Sequence, residues 1–172
     1  MFKDYFRKKC IKKAVALSAK RKVTAHNFET TKTMGVMLPF RSDMDDVMNR
    51  LKKIAKDNGI ETTFAIYFAQ DKLPESAESV QSRIVFSNKE CNWFGRPKSP
   101  EITGFIKTPF DILIDLSSEI WFPLQYIAIT SHANFKIGRL NGEINPYDFL
   151  LVGSNTEEQF VKDLETYLHK IN

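Results

Sequence analysis

The stretch FDILIDL, residues 110–116 of a 172-residue chain, decides the fold because it carries the clearest strand signal in the sequence. Its apolar residues follow one another almost without a break, and this pattern is typical of a strand that is buried on both faces. A carboxylate is poorly tolerated in the middle of such a strand. We therefore expect Asp115 to mark the carboxyl end of the strand.

Apolar segments on both sides of this stretch alternate with segments of helical periodicity. A near-continuous apolar run at residues 62–68 again indicates burial on both faces, which is typical of a parallel sheet. Strands that alternate with helices imply right-handed βαβ crossovers. Strands are predicted at residues 33–38, 62–68, 83–87, 110–116, 135–140 and 149–152, and helices begin near residues 2, 42, 99, 123 and 156.

The sequence therefore predicts an α/β fold. Residues 33–172 are expected to form one three-layer, Rossmann-like domain, with a mostly parallel sheet of about five or six strands and helices on both faces. The connector at residues 141–147 is short, so the last strand is a candidate antiparallel edge. Three helix starts carry capping signals. These are Ser42 with Asp45, Ser99 followed by Pro100, and Thr156 with Gln159.

Residues 1–22 are predicted to form a basic helical extension. They hold nine basic side chains against Asp4 alone, a net charge of +8, so the remaining 150 residues carry −4 within a total of +4. Such an arm is expected to bind an anionic partner, although a solvated helix that keeps the protein soluble explains the same charge. The predicted apolar stripe of this helix is Phe2, Phe6, Cys10, Ala14 and Leu17, with Ile11 off the stripe. The candidate anion-binding residues are Arg7, Lys8, Lys9, Lys12, Lys13, Lys20, Arg21 and Lys22.

Targeting signals are weak. The apolar stretch at residues 14–19 is shorter than the core of a signal peptide. No apolar run approaches the roughly 20 residues that a transmembrane helix needs. Cys10 and Cys91 cannot form a disulfide framework, and free thiols fit a reducing compartment. We expect a cytoplasmic protein without a transmembrane segment.

Signatures of catalysis and of cofactor binding are weak as well. The seven glycines never cluster into a dinucleotide fingerprint or a P-loop. Asp43, Asp45 and Asp46 open the first predicted βα turn, where their charge would repel a phosphate. The three histidines form no constellation, and no residues show metal-ligand spacing. We expect no metal and no cofactor, assign no catalytic residue, and regard an enzyme as the less favoured class.

Candidate ligand-binding residues fall into two groups. Asp115, Ser117 and Arg139 follow predicted strands, at the edge where open α/β sheets bind ligands. Trp93, Arg96 and Lys98 lie in the loop NWFGRPK, residues 92–98, whose aromatic and cationic side chains could stack on a base or hold an anion. Each group has an alternative: Asp115 caps the local turn, and Trp93 with Phe94 covers the edge of the sheet.

Four segments resemble, in order and spacing, a family of small Bacteroidota proteins that carries a domain of unknown function. They are NWFGRPK at 92–98, FDILIDLS at 110–117, FPLQYIA at 122–128 and FKIGR at 135–139. The basic arm and the C-terminal helix are similar too, so the resemblance covers most of the chain and implies no particular activity. A weaker likeness, of residues 111–116 and 137–138, is to the acceptor-binding half of heptosyltransferase-type glycosyltransferases. That likeness implies a fold and not an activity.

Three functions remain in competition. The first, which we favour, is a non-catalytic cytoplasmic module whose basic arm docks on RNA, a ribonucleoprotein or another acidic partner. The second is a small ligand-binding or enzymatic domain with a pocket around residues 115–118. The third is peripheral association with an anionic membrane surface. Binding through the arm should weaken steeply with salt, whereas the second function requires Asp115, Ser117, Arg139 and Trp93 to converge on one cavity.

Overall fold

A computed structural model describes residues 1–75, 77, 79–80, 82–139 and 142–171. The described residues form one sheet of six parallel strands in the order β3-β2-β1-β4-β5-β6. The strands are β1 Thr33–Pro39, β2 Glu61–Phe68, β3 Arg83–Ser87, β4 Ile112–Asp115, β5 Phe135–Gly138 and β6 Phe149–Leu150. The predicted α/β class and the parallel sheet are confirmed.

The direction of the last strand differs from the expectation: β6 runs parallel to β5 and is not an antiparallel edge. Its connector first returns to the beginning of β5. There the N–H of Asp148 donates to the carbonyl oxygen of Lys136 at 2.9 Å. The Asp148 carboxylate in turn accepts the N–H of Lys136 at 2.8 Å. These two bonds start β6 beside the beginning of β5, so the two strands point the same way.

Five α-helices surround the sheet in the described part of the chain. They are α1 Phe2–Ser18, α2 Asp45–Asp57, α3 Pro100–Lys107, α4 Phe122–Thr130 and α5 Glu157–Lys170. Alternate residues of β4 show the two buried faces: Ile114 packs with α2 and α5, and Leu113 packs with α3 and α4. This is the three-layer arrangement predicted from the sequence.

Helix α1 adds an outer layer on α4. Ile11 and Ala14 are buried against Ile129 of α4. The predicted apolar stripe is therefore partly wrong, because Phe2 and Leu17 are exposed and Ile11 faces inward. The helix also ends at Ser18 rather than residue 22. Ile11 and Ala14 are three residues apart and therefore lie on the same side of the helix, the side that packs on α4.

Two of the three predicted helix caps form as expected. The Ser99 hydroxyl accepts the N–H of Ile102 at 3.3 Å, and the Thr156 hydroxyl accepts the N–H of Gln159 at 3.1 Å. The Ser42 cap is wrong: in the described chain no side chain caps α2, which begins at Asp45 after Met44. Met44 is buried in the core, and burying it moves the helix start past Ser42.

Among the helices within the described ranges, none combines the length and the apolar character that a bilayer crossing requires.

Candidate functional site

Two arginines fix the basic arm to the domain, one near each end of α1. The Arg7 side chain donates from Nε to the carbonyl oxygen of Phe94 at 2.7 Å. Beyond the helix end, Arg21 donates from Nη1 to the carbonyl oxygens of residues 133 and 134 at 2.8 and 2.9 Å, and from Nη2 to the Asp148 carboxylate at 2.5 Å. The arm is thus a docked helix, and these two arginines are occupied by contacts inside the molecule.

Docking of α1 creates a groove between α1 on one side and α3, α4 and the 92–98 loop on the other. Two adjoining cavities of about 410 and 620 Å³ make up its volume, and they share Ala14, Arg96 and Tyr126 in their walls. We call this feature the basic groove. Its cationic lining residues are Lys9, Lys13, Lys20, Arg21, Arg96, Lys98 and Lys107.

The charge of the basic groove is uncompensated. The described residues that line it include no aspartate and no glutamate. Of the seven cations, Arg21 is paired with Asp148, and none of the other six takes part in an ion pair within the described chain. Burial raises the pKa of Cys10 and of Tyr126, both at the groove wall, so neither side chain adds negative charge at neutral pH.

A tight turn holds Arg96 at the wall of the groove. Gly95 adopts a positive φ of 100°, which L side chains rarely accept. The N–H of Arg96 donates to the Asn92 side-chain oxygen at 2.9 Å, and Ser99 starts α3 just beyond the turn. The Arg96 guanidinium lies over the Tyr126 ring at 5.9 Å. The 92–98 loop therefore places the Arg96 side chain opposite α1.

The structure thus joins two groups that the sequence treated separately. Lys9, Lys13 and Lys20 from the arm and Arg96 and Lys98 from the loop line the same groove. Three other predicted anion-binding lysines are not among the described lining residues, namely Lys8, Lys12 and Lys22; they are exposed, as the three groove lysines of the arm also are.

Sequence reasoning missed Lys107 and Tyr126. Lys107 is the last residue of α3, and an isolated basic residue at a helix end carries no signal of its own. A signal for Tyr126 did exist. The apolar spacing of Leu124, Ile127 and Ala128 marks the inward face of this helix, and Tyr126 falls outside that face.

The aromatic residues of the loop also pack against the arm. Trp93 is 57% exposed; its ring is stacked on Phe2 at 6.0 Å and meets Phe6 edge-on at 5.0 Å. Phe94 contacts Phe6 and, at the start of α4, Phe122. The alternative in which Trp93 and Phe94 cover the edge of the sheet is wrong, because both rings meet α1 instead.

Asp115 forms a local cap at the end of β4. Its carboxylate accepts the N–H of Ser117 at 2.8 Å and the hydroxyl of Tyr147 at 2.5 Å. Burial raises the pKa of Asp115, and the Ser117 and Tyr147 hydrogen bonds oppose this rise. Asp115 and Ser117 line one cavity of about 20 Å³, which is room for a single water molecule.

Arg139 lies on the opposite face of the sheet, with its guanidinium 5.9 Å from the Phe160 ring of α5. It donates to the carbonyl oxygens of residues 116 and 117 and to the Glu157 carboxylate at 2.5 Å. Glu157 also pairs with Arg41, which follows β1, at 2.9 Å. These bonds tie the residues that follow β1, β4 and β5 to the start of α5, beside the point where the strand order reverses and such sheets commonly bind ligands. Arg41 and Glu157 also line a cavity of about 400 Å³ between α2 and α5.

The convergence that the second function requires is therefore incomplete. Asp115 and Ser117 meet, but Arg139 is on the other face and Trp93 is at the arm. A ligand-binding role for Asp115, Ser117 and Arg139 remains a prediction, with each side chain already held by partners or by burial.

Comparison with known proteins adds one finding. None of the curated proteins and none of the solved structures matches the chain. The model of DUF6913, a family of unknown function, matches residues 3–171. This range includes the arm, the groove and the whole sheet, so the chain belongs to the DUF6913 family.

Proposed function

We propose that this protein binds RNA through its phosphates in the basic groove. The observation that carries the proposal is the set of six cationic side chains without an ion-pair partner in a groove whose described lining contains no carboxylate. Uncompensated positive charge in a cleft attracts polyanions, because the low-dielectric walls focus the field. Each phosphate that enters the groove releases condensed counterions and so favours binding.

The shape of the groove suits a strand more than a flat surface. The part of α1 that lines the groove runs from Phe6 to Ser18, which at 1.5 Å per residue gives a wall about 20 Å long. Lys9 and Lys13 lie one turn apart on the same side of α1. Arg96 lines the same cavity as these two lysines from the opposite wall, and Lys98 lines the adjoining cavity together with Lys20. A polymer lying between the walls meets cations on both sides, whereas a flat bilayer surface does not follow the line of a groove.

Charge reversal at matched positions on α1 tests the proposal. The double variant Lys9→Glu/Lys13→Glu changes two residues of the groove, and Lys8→Glu/Lys12→Glu makes the same change in charge at exposed positions outside it. Fluorescence anisotropy with a labelled RNA oligonucleotide of about eight nucleotides measures the dissociation constant at several salt concentrations. Circular dichroism spectra and urea midpoints confirm that both variants fold.

We expect the groove variant to weaken binding by at least about tenfold and to reduce the salt dependence, because fewer phosphates are neutralised. The control variant should bind within about threefold of the unaltered chain, since its charges reach the RNA only over a longer, screened distance. Equal losses in the two variants would overturn the proposal. So would tighter, variant-sensitive binding to anionic vesicles or to polyglutamate than to RNA.

Substitution is a cleaner test than removal of residues 1–22. Without α1 the buried Ile129 of α4 would face water, and Asp148 would lose its bond to Arg21. A truncated chain could lose binding simply because its fold had changed.

A further inference from the structure

We propose that the aromatic rings at the amino end of α1 stack on the bases of the bound RNA, so that the protein selects single strands. This inference rests on the proposed function and adds the class of substrate. The surface consists of three exposed rings, Phe2, Tyr5 and Trp93, with Phe6 and Phe94 behind them. We call it the aromatic patch.

Large exposed rings of this kind are unusual on a protein surface. Phe2 is 72% exposed, Tyr5 61% and Trp93 57%. A contiguous exposed apolar patch commonly marks an interaction site. The three rings would gain from a partner that offers flat apolar faces.

The patch is supported from behind. Phe6 meets Trp93 edge-on with ring centres 5.0 Å apart, and it stacks on Phe94 at 6.2 Å. Phe94 in turn touches Phe122 at 6.3 Å, at the start of α4. A chain of ring contacts therefore runs from the exposed Trp93 to the body of the domain. Pre-positioned rings lose little conformational entropy when they bind.

The patch is continuous with the basic groove. Phe6 and Phe94 line the groove together with Lys9 and Lys13, and the same two rings contact Trp93. A strand held in the groove by its phosphates would therefore reach the patch at the amino end of α1. Cations that track a backbone, followed by exposed aromatic rings, are the features by which proteins bind single-stranded nucleic acid. A duplex keeps its base faces stacked inside and cannot offer them.

Two other occupants of the patch are less favoured on charge and shape. A second copy of the chain would bring two segments of net charge +8 together, which like-charge repulsion disfavours. A membrane is disfavoured by shape, because cations on two facing walls suit a strand that lies between them better than a flat surface.

Tryptophan fluorescence reports directly on the patch. The chain has two tryptophans, so a Trp121→Phe background leaves Trp93 as the reporter. The probes are a single-stranded oligoadenylate of about eight nucleotides, an abasic strand with the same phosphates, and a duplex of the same length. We expect oligoadenylate to quench Trp93 fluorescence. The abasic strand should bind in the groove more weakly, and neither it nor the duplex should quench the fluorescence.

Substitutions at Trp93 distinguish stacking from apolar contact. Trp93→Leu keeps an apolar side chain without a ring, and it should weaken oligoadenylate binding by roughly five- to 100-fold while abasic binding stays unchanged. Trp93→Phe should retain most of the affinity. Tyr5→Ala, on the exposed side of α1, provides a second variant in case the Trp93 changes disturb the loop.

The outcomes separate the two proposals. If abasic and base-bearing strands bind equally and Trp93 is not quenched, base stacking is overturned while phosphate binding in the groove stands. If no strand binds, both proposals fail. If Trp93→Leu binds oligoadenylate as well as the parent does, or if neutral vesicles quench Trp93 as RNA does, stacking is likewise overturned.

Discussion

A buried lysine on β5 should make the stability of the protein depend on pH in a defined way. Lys136 is only 2% exposed, and its ammonium donates to the carbonyl oxygens of Ala128 at 2.7 Å and Ile129 at 3.1 Å in the last turn of α4. Burial lowers the pKa of Lys136 from 10.5 to about 7; Arg21 lowers it further, and Asp148 opposes the change. The perturbation that we consider is Lys136→Met, which keeps the length of the side chain and removes its charge.

The sign and size of the effect follow from proton linkage. Between pH 7 and 10.5 the unfolded chain holds a proton on Lys136 that the folded chain releases. The free energy of unfolding therefore rises with pH across this range. At 1.36 kcal/mol per pKa unit, the unfolding free energy rises by about 2 kcal/mol between pH 7 and 9. This is less than the full value for two pH units, because near pH 7 the folded chain still holds part of the proton on Lys136. Lys136→Met lacks this contribution.

Urea unfolding of both proteins at pH 6, 7, 8 and 9 measures the effect. The difference in unfolding free energy between parent and variant should change by less than about 0.5 kcal/mol from pH 6 to 7 and by about 2 kcal/mol from pH 7 to 9. Burial raises the pKa of Cys91 to about 11 and that of Tyr67 to about 12. Both groups destabilise the fold above pH 9, but equally in the two proteins, so they cancel in the difference. A difference that stays constant from pH 6 to 9 would refute the reasoning, because the two carbonyl oxygens would then be holding the lysine in its charged form.

Three further predictions concern two glycines of the domain and the docking of α1. Gly138→Ala should lower the unfolding free energy by about 1–3 kcal/mol in urea titrations, because the added Cβ would lie 2.7 Å from the Tyr147 ring. Gly104→Ala, in α3 with nothing within 4 Å of the added Cβ, should raise it by up to about 1 kcal/mol, and a loss there would contradict the open space seen in the structure. Arg21→Ala should accelerate proteolysis within residues 1–22, since the bond to Asp148 is lost; an unchanged digestion pattern would show that α1 is held by its helix contacts alone.

Local signals explain why the strands and most helix starts could be predicted. A run of apolar residues predicts a strand, as at residues 110–116. Ser99 caps a helix by accepting a hydrogen bond from a residue only three positions away. The direction of β6 could not be predicted in this way. It depends on a pair of bonds between Asp148 and Lys136, and Asp148 lies in a connector without any periodic pattern.

The basic groove was predictable in its charges and not in its shape. The sequence identified the arm lysines and Arg96 with Lys98, but their meeting requires α1 to dock on α4. The bonds that fix this docking span 87 residues for Arg7 and 113 for the contact of Arg21 with residue 134. The apolar residues of α1 are too loosely spaced to predict that Ile11 is buried while Phe2 and Leu17 are exposed.

The long span of the Arg21 contacts has a consequence for protein synthesis. Helix α1 leaves the ribosome before the strands of the domain, yet the carbonyl oxygen of residue 134 that receives Arg21 is made 113 residues later. At about 5–20 residues per second, the nascent helix waits roughly 6–23 s for its docking partner. Both walls of the basic groove exist only after translation has passed α4, so a chain still being made has the lysines but not the recognition surface.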